Sequence, residues 1–266
     1  MPCAILAVLR SFNTSTILNH EGQARYTIYM SFVVPAVLPT SREDLEQKLA
    51  LLAPTLVDRI QIDVVDGRFA APASWPYNAA PSSEEADIHG KMLPELHHIE
   101  YEIDLMCLDA YQAASFWLAR GASRLTFHAE SVINLSRLIA SAHKNYGCGP
   151  ASCGVISIGL ALNIESSLSL IEPYLKQIDY VQFMGIARIG RQGQPFDRRV
   201  CTAIRNFRLR YPHIPVQVDG GVSRDTVRDL VSLGVSNIVV GSSILRAADP
   251  SAAIAELEAF QSPYGV

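Results

Sequence analysis

The most constraining feature of this sequence is an alternation of short apolar runs with amphipathic segments, which repeats from about residue 31 to the end. This alternation is typical of parallel βα units, because a parallel pair of strands needs a crossover long enough to hold a helix. The apolar runs predict eight strands, at Phe32–Leu38, Arg59–Asp63, Glu100–Met106, Arg124–Phe127, Ser157–Leu162, Tyr180–Met184, Pro215–Val218 and Asn237–Val240.

The amphipathic segments between these runs predict the helices of the same units. They lie at Ser41–Leu52, Ala110–Arg120, Val132–Asn145, Ser166–Lys176, Arg198–Tyr211, Arg224–Leu233 and Pro250–Phe260, with a weaker one at Glu84–Leu96. Eight βα units predict an α/β fold of the (β/α)8 TIM-barrel type, whose functional residues lie at the C-terminal ends of the strands. We predict one barrel domain, residues 30–266, preceded by an N-terminal extension, residues 1–29, of unknown role.

Composition and charge exclude several classes of protein. With 49% hydrophobic and 18% charged residues, the chain is expected to fold as a globular protein. Its net charge of -4 and scattered basic residues argue against a nucleic-acid partner. No apolar stretch approaches transmembrane length and no basic leader precedes the short apolar start, so we expect no membrane partner and a cytoplasmic protein. Five cysteines without zinc-type spacing indicate reduced thiols. The sequence leaves open whether the protein forms a homo-oligomer.

The last two predicted strands both end in small residues that precede a predicted helix. Backbone N–H groups at helix starts bind phosphate, and glycine lets the phosphate approach the main chain closely. TIM barrels commonly place a phosphate site after strands 7 and 8. The predicted phosphate-binding residues are Gly220, Gly221, Gly241 and Ser242, together with Gly190 and Gly193 from the long loop after strand 6.

Two aspartates, Asp63 and Asp219, end the second and seventh predicted strands. Two carboxylates across a barrel mouth suit removal of a proton from one face of a substrate carbon and its return to the other. A single aspartate at a strand end is as often a helix cap or a loop brace. Because this pair lies beside the predicted phosphate site, we interpret it as a catalytic acid–base pair.

A candidate metal site surrounds the same aspartates. Gln61 and Asp63 are two positions apart on one strand and therefore point to the same face, and Asp104 lies near the end of the third strand. Converging carboxylates raise one another's pKa unless a cation lies between them. We predict a metal set of Gln61, Asp63, Asp104 and Asp219, whose oxygen atoms favour Mg²⁺ or Mn²⁺ over Zn²⁺ or Fe²⁺. The alternative is that Asp104 only braces a loop or pairs with an arginine.

Three further residues at strand ends are candidates for the substrate pocket. His128 ends the fourth strand and is placed to hydrogen-bond a substrate oxygen, although a histidine satisfied within the core fits nearly as well. Met106 and Met184 end the third and sixth strands and suit an apolar wall, although simple packing is the more common role of methionine. No Gly-x-Gly-x-x-Gly motif is present, and we predict no organic cofactor.

From about Ser31 to Phe260 the chain resembles the ribulose-phosphate 3-epimerases. The resemblance implies acid–base chemistry by two aspartates at C3 of a ketose 5-phosphate through an enediolate, with a divalent metal, and Asp63 and Asp219 match those aspartates. The carrying segments are Val34-Pro35-Ala36-Val37-Leu38, Ile62-Asp63-Val64-Val65-Asp66-Gly67-Arg68-Phe69, Asp104-Leu105-Met106, Thr126-Phe127-His128-Ala129-Glu130, Gly193-Gln194-Pro195-Phe196 and Val218-Asp219-Gly220-Gly221-Val222 with Gly241-Ser242.

The chain also departs from that family's pattern. Gln61 and Asp104 stand where the family has metal-binding histidines, Ala36 replaces a serine that contacts substrate, Val65 replaces a methionine, and the loop after strand 6 is about one residue longer. The leading hypothesis is C3 epimerisation of ribulose 5-phosphate and xylulose 5-phosphate or of a related pentulose or hexulose phosphate. The alternatives are a non-catalytic sugar-phosphate-binding paralogue and, ranked lower because Ile62–Val65 contains no lysine, a lyase on the same barrel.

Overall fold

A computed structural model of the chain describes residues 14–18, 24–28, 31–55, 57–79, 91–131, 134–146 and 156–261. In this part, strands β1 (Thr14–Leu18) and β2 (Ala24–Ile28) pair antiparallel in a sheet of their own. The following eight strands are β3 (Val33–Val37), β4 (Arg59–Val65), β5 (Glu100–Met106), β6 (Arg124–His128), β7 (Ser157–Leu162), β8 (Tyr180–Met184), β9 (Val216–Asp219) and β10 (Asn237–Val240).

These eight strands form a closed parallel barrel in which β10 pairs with both β9 and β3. The predicted (β/α)8 fold is therefore confirmed. The helices are α1 (Arg42–Leu52), α2 (Ala110–Leu118), α3 (Leu135–Tyr146), α4 (Arg199–Arg210), α5 (Arg224–Ser232), the short α6 (Ser242–Leu245) and α7 (Pro250–Glu258). None of the helices described here is long and apolar enough to cross a membrane.

Local sequence signals fix several helix starts. The Ser41 side chain accepts a hydrogen bond from the backbone N–H of Asp44 at 3.1 Å, and the Asp249 carboxylate accepts one from Ala252 N–H at 3.1 Å ahead of α7. Each bond satisfies a donor that the first helical turn leaves without a partner. Pro250 adds a pre-set φ at the first helical position of α7.

One helix prediction was wrong, and a second was wrong over the part of it that the structure describes. Ser166–Lys176 does not form an α-helix but contains two 3₁₀ helices, Leu168–Leu170 and Glu172–Tyr174, because Pro173 lacks the N–H that a continuous helix would need there. Of Glu84–Leu96, residues 84–90 lie outside the described residues, and residues 91–96 are not helical. In that stretch Glu95 has a φ of 51°, which is incompatible with a right-handed helix.

The two faces of the strands have different surroundings, as β4 illustrates. Ile60, Ile62 and Val64 belong to the main apolar core. Since successive side chains alternate between faces, Gln61 and Asp63 point the other way, into the barrel. β4 also runs two residues beyond the predicted end at Asp63. The strand thereby carries one amide and one carboxylate up the barrel interior towards its C-terminal mouth.

Candidate active site

A cavity of about 420 Å³ opens at the C-terminal ends of the barrel strands. Its lining contains both aspartates of the predicted acid–base pair, both methionines of the predicted apolar wall and every residue predicted to bind phosphate. The loop after β8 and the residues after β9 contribute most of the remaining wall. The predicted residues that line it are Asp63, Met106, Met184, Gly190, Gly193, Asp219, Gly220, Gly221, Gly241 and Ser242.

Three carboxylates converge at the bottom of this cavity, where Asp63 and Asp219 line it and Asp104 lies buried behind them. Asp63 and Asp104 are partners in the β4–β5 register, and Asp219 is the last residue of β9. One oxygen from each of the three lies within 4.8 Å of the others. Asp63 and Asp104 are buried, whereas Asp219 is partly exposed to the cavity. This group can hold a metal ion, and its all-oxygen chemistry suits a hard cation.

Gln61 presents its amide nitrogen to the carboxylates. Its Nε2 atom donates to Oδ1 of Asp63 at 2.9 Å and to Oδ2 of Asp219 at 3.0 Å. The two N–H groups of one amide therefore bridge the two predicted catalytic aspartates. In this orientation Gln61 provides hydrogen-bond donors to the cluster, in contrast to the ligand oxygen predicted from the sequence.

A hydrogen-bond chain runs below the site from Glu102 through Gln217 to Gln182. Glu102 is fully buried and, as a carboxylate, only accepts hydrogen bonds, so the 2.6 Å contact from Gln217 Nε2 identifies that nitrogen as the donor. The same nitrogen donates to Gln182 Oε1 at 2.8 Å and lies 3.4 Å from Gln61 Oε1. The side-chain oxygens of Gln61 and Gln182 face Gln217, and their amide nitrogens face the three carboxylates. Gln182 Nε2 consequently donates to Oδ2 of Asp104 at 3.1 Å.

Glu102 accepts further hydrogen bonds from other strands. Arg124 Nε donates to Glu102 Oε2 at 2.9 Å, while Thr126 Oγ1 and the Tyr180 hydroxyl donate to Oε1 at 3.0 and 3.2 Å. The Arg124 guanidinium lies 3.4 Å from the centroid of the Tyr180 ring. A buried charge with an opposite partner and several hydrogen bonds is an acceptable interior group, whereas an unpaired one is costly.

His128 is placed behind the cluster. Its Nε2 atom lies 3.0 Å from Oδ1 of Asp104, its side chain is fully buried, and it is not among the residues that line the cavity. Burial alone would lower the pKa of His128, but the Asp104 charge and hydrogen bond outweigh it and raise that pKa above its usual value. The structure therefore places His128 as a partner of Asp104, and Asp104 has no arginine partner among the described contacts.

Burial and mutual repulsion raise the pKa of both predicted catalytic aspartates. Burial is the largest cause for Asp63, followed by the Asp104 charge, and together they raise its pKa to about 7 despite hydrogen bonds from Gln61 and Gln192. Burial, with the charges of Asp63 and Asp104, raises the pKa of Asp219 well above its usual range. A carboxyl of this kind can hold a proton at neutral pH, as a general acid must.

Sequence reasoning missed the interior glutamines and Gln192. Gln182 and Gln217 each lie two positions before the last residue of their strands, Met184 and Asp219, and so share a face with it. This two-residue spacing could have identified both glutamines as residues that point into the barrel. Gln192 lies in the loop after β8, where nothing in the sequence marks it, yet it lines the cavity and its Nε2 donates to the Ala36 carbonyl oxygen at 3.1 Å.

The fold and the position of the cavity define a (β/α)8 barrel with its polar site at the C-terminal strand ends, the arrangement of TIM-barrel enzymes. A sequence model of a protein family, described as the Ribulose-phosphate 3 epimerase family, matches residues 32–245 of this chain. The chain therefore belongs to the ribulose-phosphate 3-epimerase family, and its enzyme class is isomerase.

Curated relatives carry the same name. The ribulose-phosphate 3-epimerase of Mycobacterium leprae (strain TN) is 28% identical over 232 residues, which cover 85% of this chain and 92% of that protein. The ribulose-phosphate 3-epimerase of Schizosaccharomyces pombe is 25% identical over 228 residues, which cover 85% of this chain and 91% of that protein. Ribulose-5-phosphate-3-epimerase, chloroplastic, of Arabidopsis thaliana is 26% identical and covers 88% of this chain and 78% of that protein.

Solved structures share the fold at lower identity. A 3-hexulose-6-phosphate synthase superposes with a TM-score of 0.59 at 20% identity and covers 87% of this chain and 100% of its own. KGPDC from Streptococcus mutans gives a TM-score of 0.59 at 15% identity and covers 88% of this chain and 98% of its own. At these identities the likeness shows the barrel fold alone.

Proposed function

We propose that this protein inverts C3 of a ketose phosphate, with Asp63 and Asp219 as the acid–base pair. The substrates are ribulose 5-phosphate and xylulose 5-phosphate or a related pentulose or hexulose phosphate. One observation carries the proposal: the two carboxylates enter the same cavity from β4 and β9, and one Gln61 amide bridges them. Membership of the epimerase family supports the same reaction class.

The chemistry is a proton removal followed by a proton return. One carboxylate takes the C3 proton and leaves an enediolate, and the other carboxyl delivers a proton to the opposite face of C3. No atom or electron is gained overall, and the two aspartates exchange roles when the direction of reaction reverses. The raised pKa of Asp63 and Asp219 supports this, because one member of the pair must keep a proton near pH 7.

The glycine-rich side of the cavity supports phosphate binding. Gly220 and Gly221 have φ values of 103° and 69°, which glycine adopts without strain, and they begin the turn between β9 and α5. Backbone N–H groups exposed in such turns bind phosphate oxygens. We assign the substrate phosphate to this side, between Gly220, Gly221, Gly241 and Ser242 and the loop residues Gly190 and Gly193.

The two methionines supply apolar wall to the cavity, and a small apolar cluster backs one of them. Met106 packs with Val65 and Ala70, and partly buried Leu38, Phe69 and Ile189 lie against this cluster. Met184 lines the cavity beside Asp219, its partner in the β8–β9 register. We assign these side chains to shelter the enediolate from water, and we assign His128 to hold Asp104 in place.

A divalent cation fits the three carboxylates. We propose that Asp63, Asp104 and Asp219 hold it, with Mg²⁺ or Mn²⁺ favoured over Zn²⁺ or Fe²⁺ because the donors are oxygens. The raised pKa of the two catalytic aspartates is the electrostatic cost that such an ion would offset. When bound, the ion would stabilise negative charge that develops on a substrate oxygen. Gln61 would join the ligands only after its amide turned over.

Exchange of the C3 hydrogen with solvent tests the function. Ketose phosphates incubated with the protein in D₂O, with Mg²⁺ or Mn²⁺ present, should gain deuterium at C3 and yield the C3 epimer. Binding of ketose phosphates without exchange or turnover would instead support the non-catalytic paralogue. Carbon–carbon cleavage products would support a lyase, which has less support because no lysine lies among the described residues lining the cavity.

The remaining parts of the proposal concern partners and compartment. We infer a small sugar phosphate as the partner, and we infer the cytoplasm as the compartment. The family has members named as a cytoplasmic isoform in Oryza sativa and as chloroplastic in Arabidopsis thaliana, so fractionation of the source cells is the direct measurement. The oligomeric state stays a prediction that sedimentation of the purified protein measures.

A further inference from the structure

The loop after β8 carries one side chain over the mouth of the barrel. Gly190 and Gly193 adopt φ values of 83° and 78°, which turn the chain on either side of Arg191 and Gln192. Arg191 is exposed, and its Nε atom donates to the Ala71 carbonyl oxygen at 3.1 Å, which ties the loop to the segment after β4. Gln192, the next residue, is partly buried and lines the cavity.

The Gln192 amide lies between two strand ends. Its Nε2 atom donates to the Ala36 carbonyl oxygen on β3 at 3.1 Å. It also lies so close to Gly241, after β10, that a Cβ atom placed there would be 2.5 Å from Nε2 and 2.9 Å from Cδ. The amide further interacts with the carboxyl of Asp63. Gln192 thus occupies the space between the proposed phosphate site and one catalytic aspartate.

This part of the cavity has no other polar side chain from β3. Ala36 lines the cavity with a methyl group only. A sugar that spans the distance from the phosphate site to Asp63 carries hydroxyl groups along that path, and each hydroxyl moved out of water needs a hydrogen-bond partner. The Gln192 amide directs its nitrogen at Ala36 and Asp63 and offers its oxygen as an acceptor, without adding charge beside an anionic substrate.

We infer that Gln192 is a specificity-determining residue whose amide hydrogen-bonds the sugar portion of a ketose phosphate between its phosphate and C3. The inference rests on the proposed function for the identity of the substrate. It assigns recognition of the phosphate to the glycine-rich backbone and recognition of the polyol chain to one side chain of the loop. A site built to hydrogen-bond a hydroxyl discriminates strongly against a ligand that lacks it.

The test measures the affinity of the parent protein and three variants for two ligands, ribulose 5-phosphate and inorganic phosphate. Gln192→Ala removes the amide, Gln192→Asn retains it on a side chain one methylene shorter, and Gln112→Ala removes an exposed glutamine on α2 as the matched control. We expect both Gln192 variants to lose about tenfold or more in affinity for ribulose 5-phosphate and in kcat/KM, mainly through KM. Their affinity for inorganic phosphate should stay within about twofold of the parent, and Gln112→Ala should match the parent throughout.

Two results would overturn the inference. One is an unchanged affinity for ribulose 5-phosphate in Gln192→Ala, and the other is an equal loss for ribulose 5-phosphate and inorganic phosphate, which indicates a general loosening of the loop. Calorimetric binding gives this contrast without turnover. If the parent protein binds the sugar phosphate but shows no C3 exchange, the proposed function fails while the role of Gln192 is still decided by binding.

Discussion

The amide nitrogen of Gln61 lies 3.0 Å from Oδ2 of Asp219, and the same nitrogen bonds Asp63 at 2.9 Å. A neutral donor therefore partly offsets the repulsion between the two carboxylates. Hydrogen bonds from one amide do not supply a full positive charge, and the pKa of Asp63 is still raised to about 7. The site is consequently a cluster whose charge state depends on protons and on any cation that binds.

Metal binding should stabilise the folded protein through the carboxylate cluster. After dialysis against a chelator, addition of Mg²⁺ or Mn²⁺ should raise the thermal midpoint, by an amount equivalent to about 2.7 kcal/mol at a hundredfold excess over the dissociation constant. Asp104→Asn should abolish most of this shift, whereas Glu46→Gln, at an exposed position on α1, should retain it. Equal shifts in both variants would place the ion elsewhere, and no shift in the parent would contradict a metal site.

Loss of either proposed catalytic aspartate should greatly slow the reaction without unfolding the chain. Asp63→Asn and Asp219→Asn keep the side-chain shape and remove the proton-transfer group, so kcat should fall by about 10²–10⁴-fold. Deuterium incorporation at C3 from D₂O, followed by NMR, measures the loss. Because each variant replaces a carboxyl group whose ionisation is disfavoured in this cluster, its thermal midpoint at pH 8 in chelator should not fall below that of the parent. Activity within tenfold of the parent in both variants is the contrary result.

The contribution of Asp63 to stability without metal should decrease as pH rises from about 4 to about 7. The folded-state pKa of Asp63, about 7, exceeds its ordinary value of 3.8, so between these values the folded chain binds more protons than the unfolded chain. The Asp63 contribution to the free energy of unfolding should fall across this window, by on the order of a few kcal/mol. Denaturation midpoints at several pH values in chelator, compared between the parent and Asp63→Asn, give the contribution of Asp63 to the free energy of unfolding. A stability difference, parent minus Asp63→Asn, that rises over the same window contradicts the expected sign.

The sequence predicted the residues at the strand ends of the site better than the hydrogen bonds among side chains inside the barrel. Asp63 and Asp219 were found because strand ends and small-residue turns are local signals. The direction of the Gln61 amide was not predictable, because it depends on the Asp219 carboxylate, which is distant in sequence and meets Gln61 only inside the closed barrel. Gln192 was missed for the same reason, since its partners lie on other strands.

Glu102 should contribute strongly to the free energy of unfolding, because it is the buried carboxylate partner of Arg124. Glu102→Gln leaves the shape nearly unchanged but deprives Arg124 of its carboxylate partner, so we expect a loss of about 3–5 kcal/mol in the free energy of unfolding. Glu100→Gln, which removes the partner of Arg59 at a more exposed position, should cost less. Urea denaturation measures both. An equal loss in the two variants would indicate that the interior amide chain adds nothing to the ion pair.

Two glycines at the cavity should respond differently to alanine. At Gly221 the φ is 69°, and an added Cβ would lie 2.6 Å from Cα of Phe196, a backbone atom that has little freedom to move. At Gly241 the added Cβ meets the end of the Gln192 side chain at 2.5 Å, and the nearest backbone atom, the Ala36 oxygen, is 3.4 Å away. We therefore expect Gly221→Ala to lower the free energy of unfolding by roughly 2 kcal/mol or more.

Gly241→Ala should instead leave stability within about 1 kcal/mol of the parent, because a flexible side chain can move aside. The displaced amide should lose its bond to Ala36, and the affinity for ribulose 5-phosphate should fall more than the affinity for inorganic phosphate. Denaturation curves combined with calorimetry of both ligands measure the pair of effects. If Gly241→Ala destabilised the chain as much as Gly221→Ala, the loop after β8 would be held too firmly for Gln192 to adjust to a substrate.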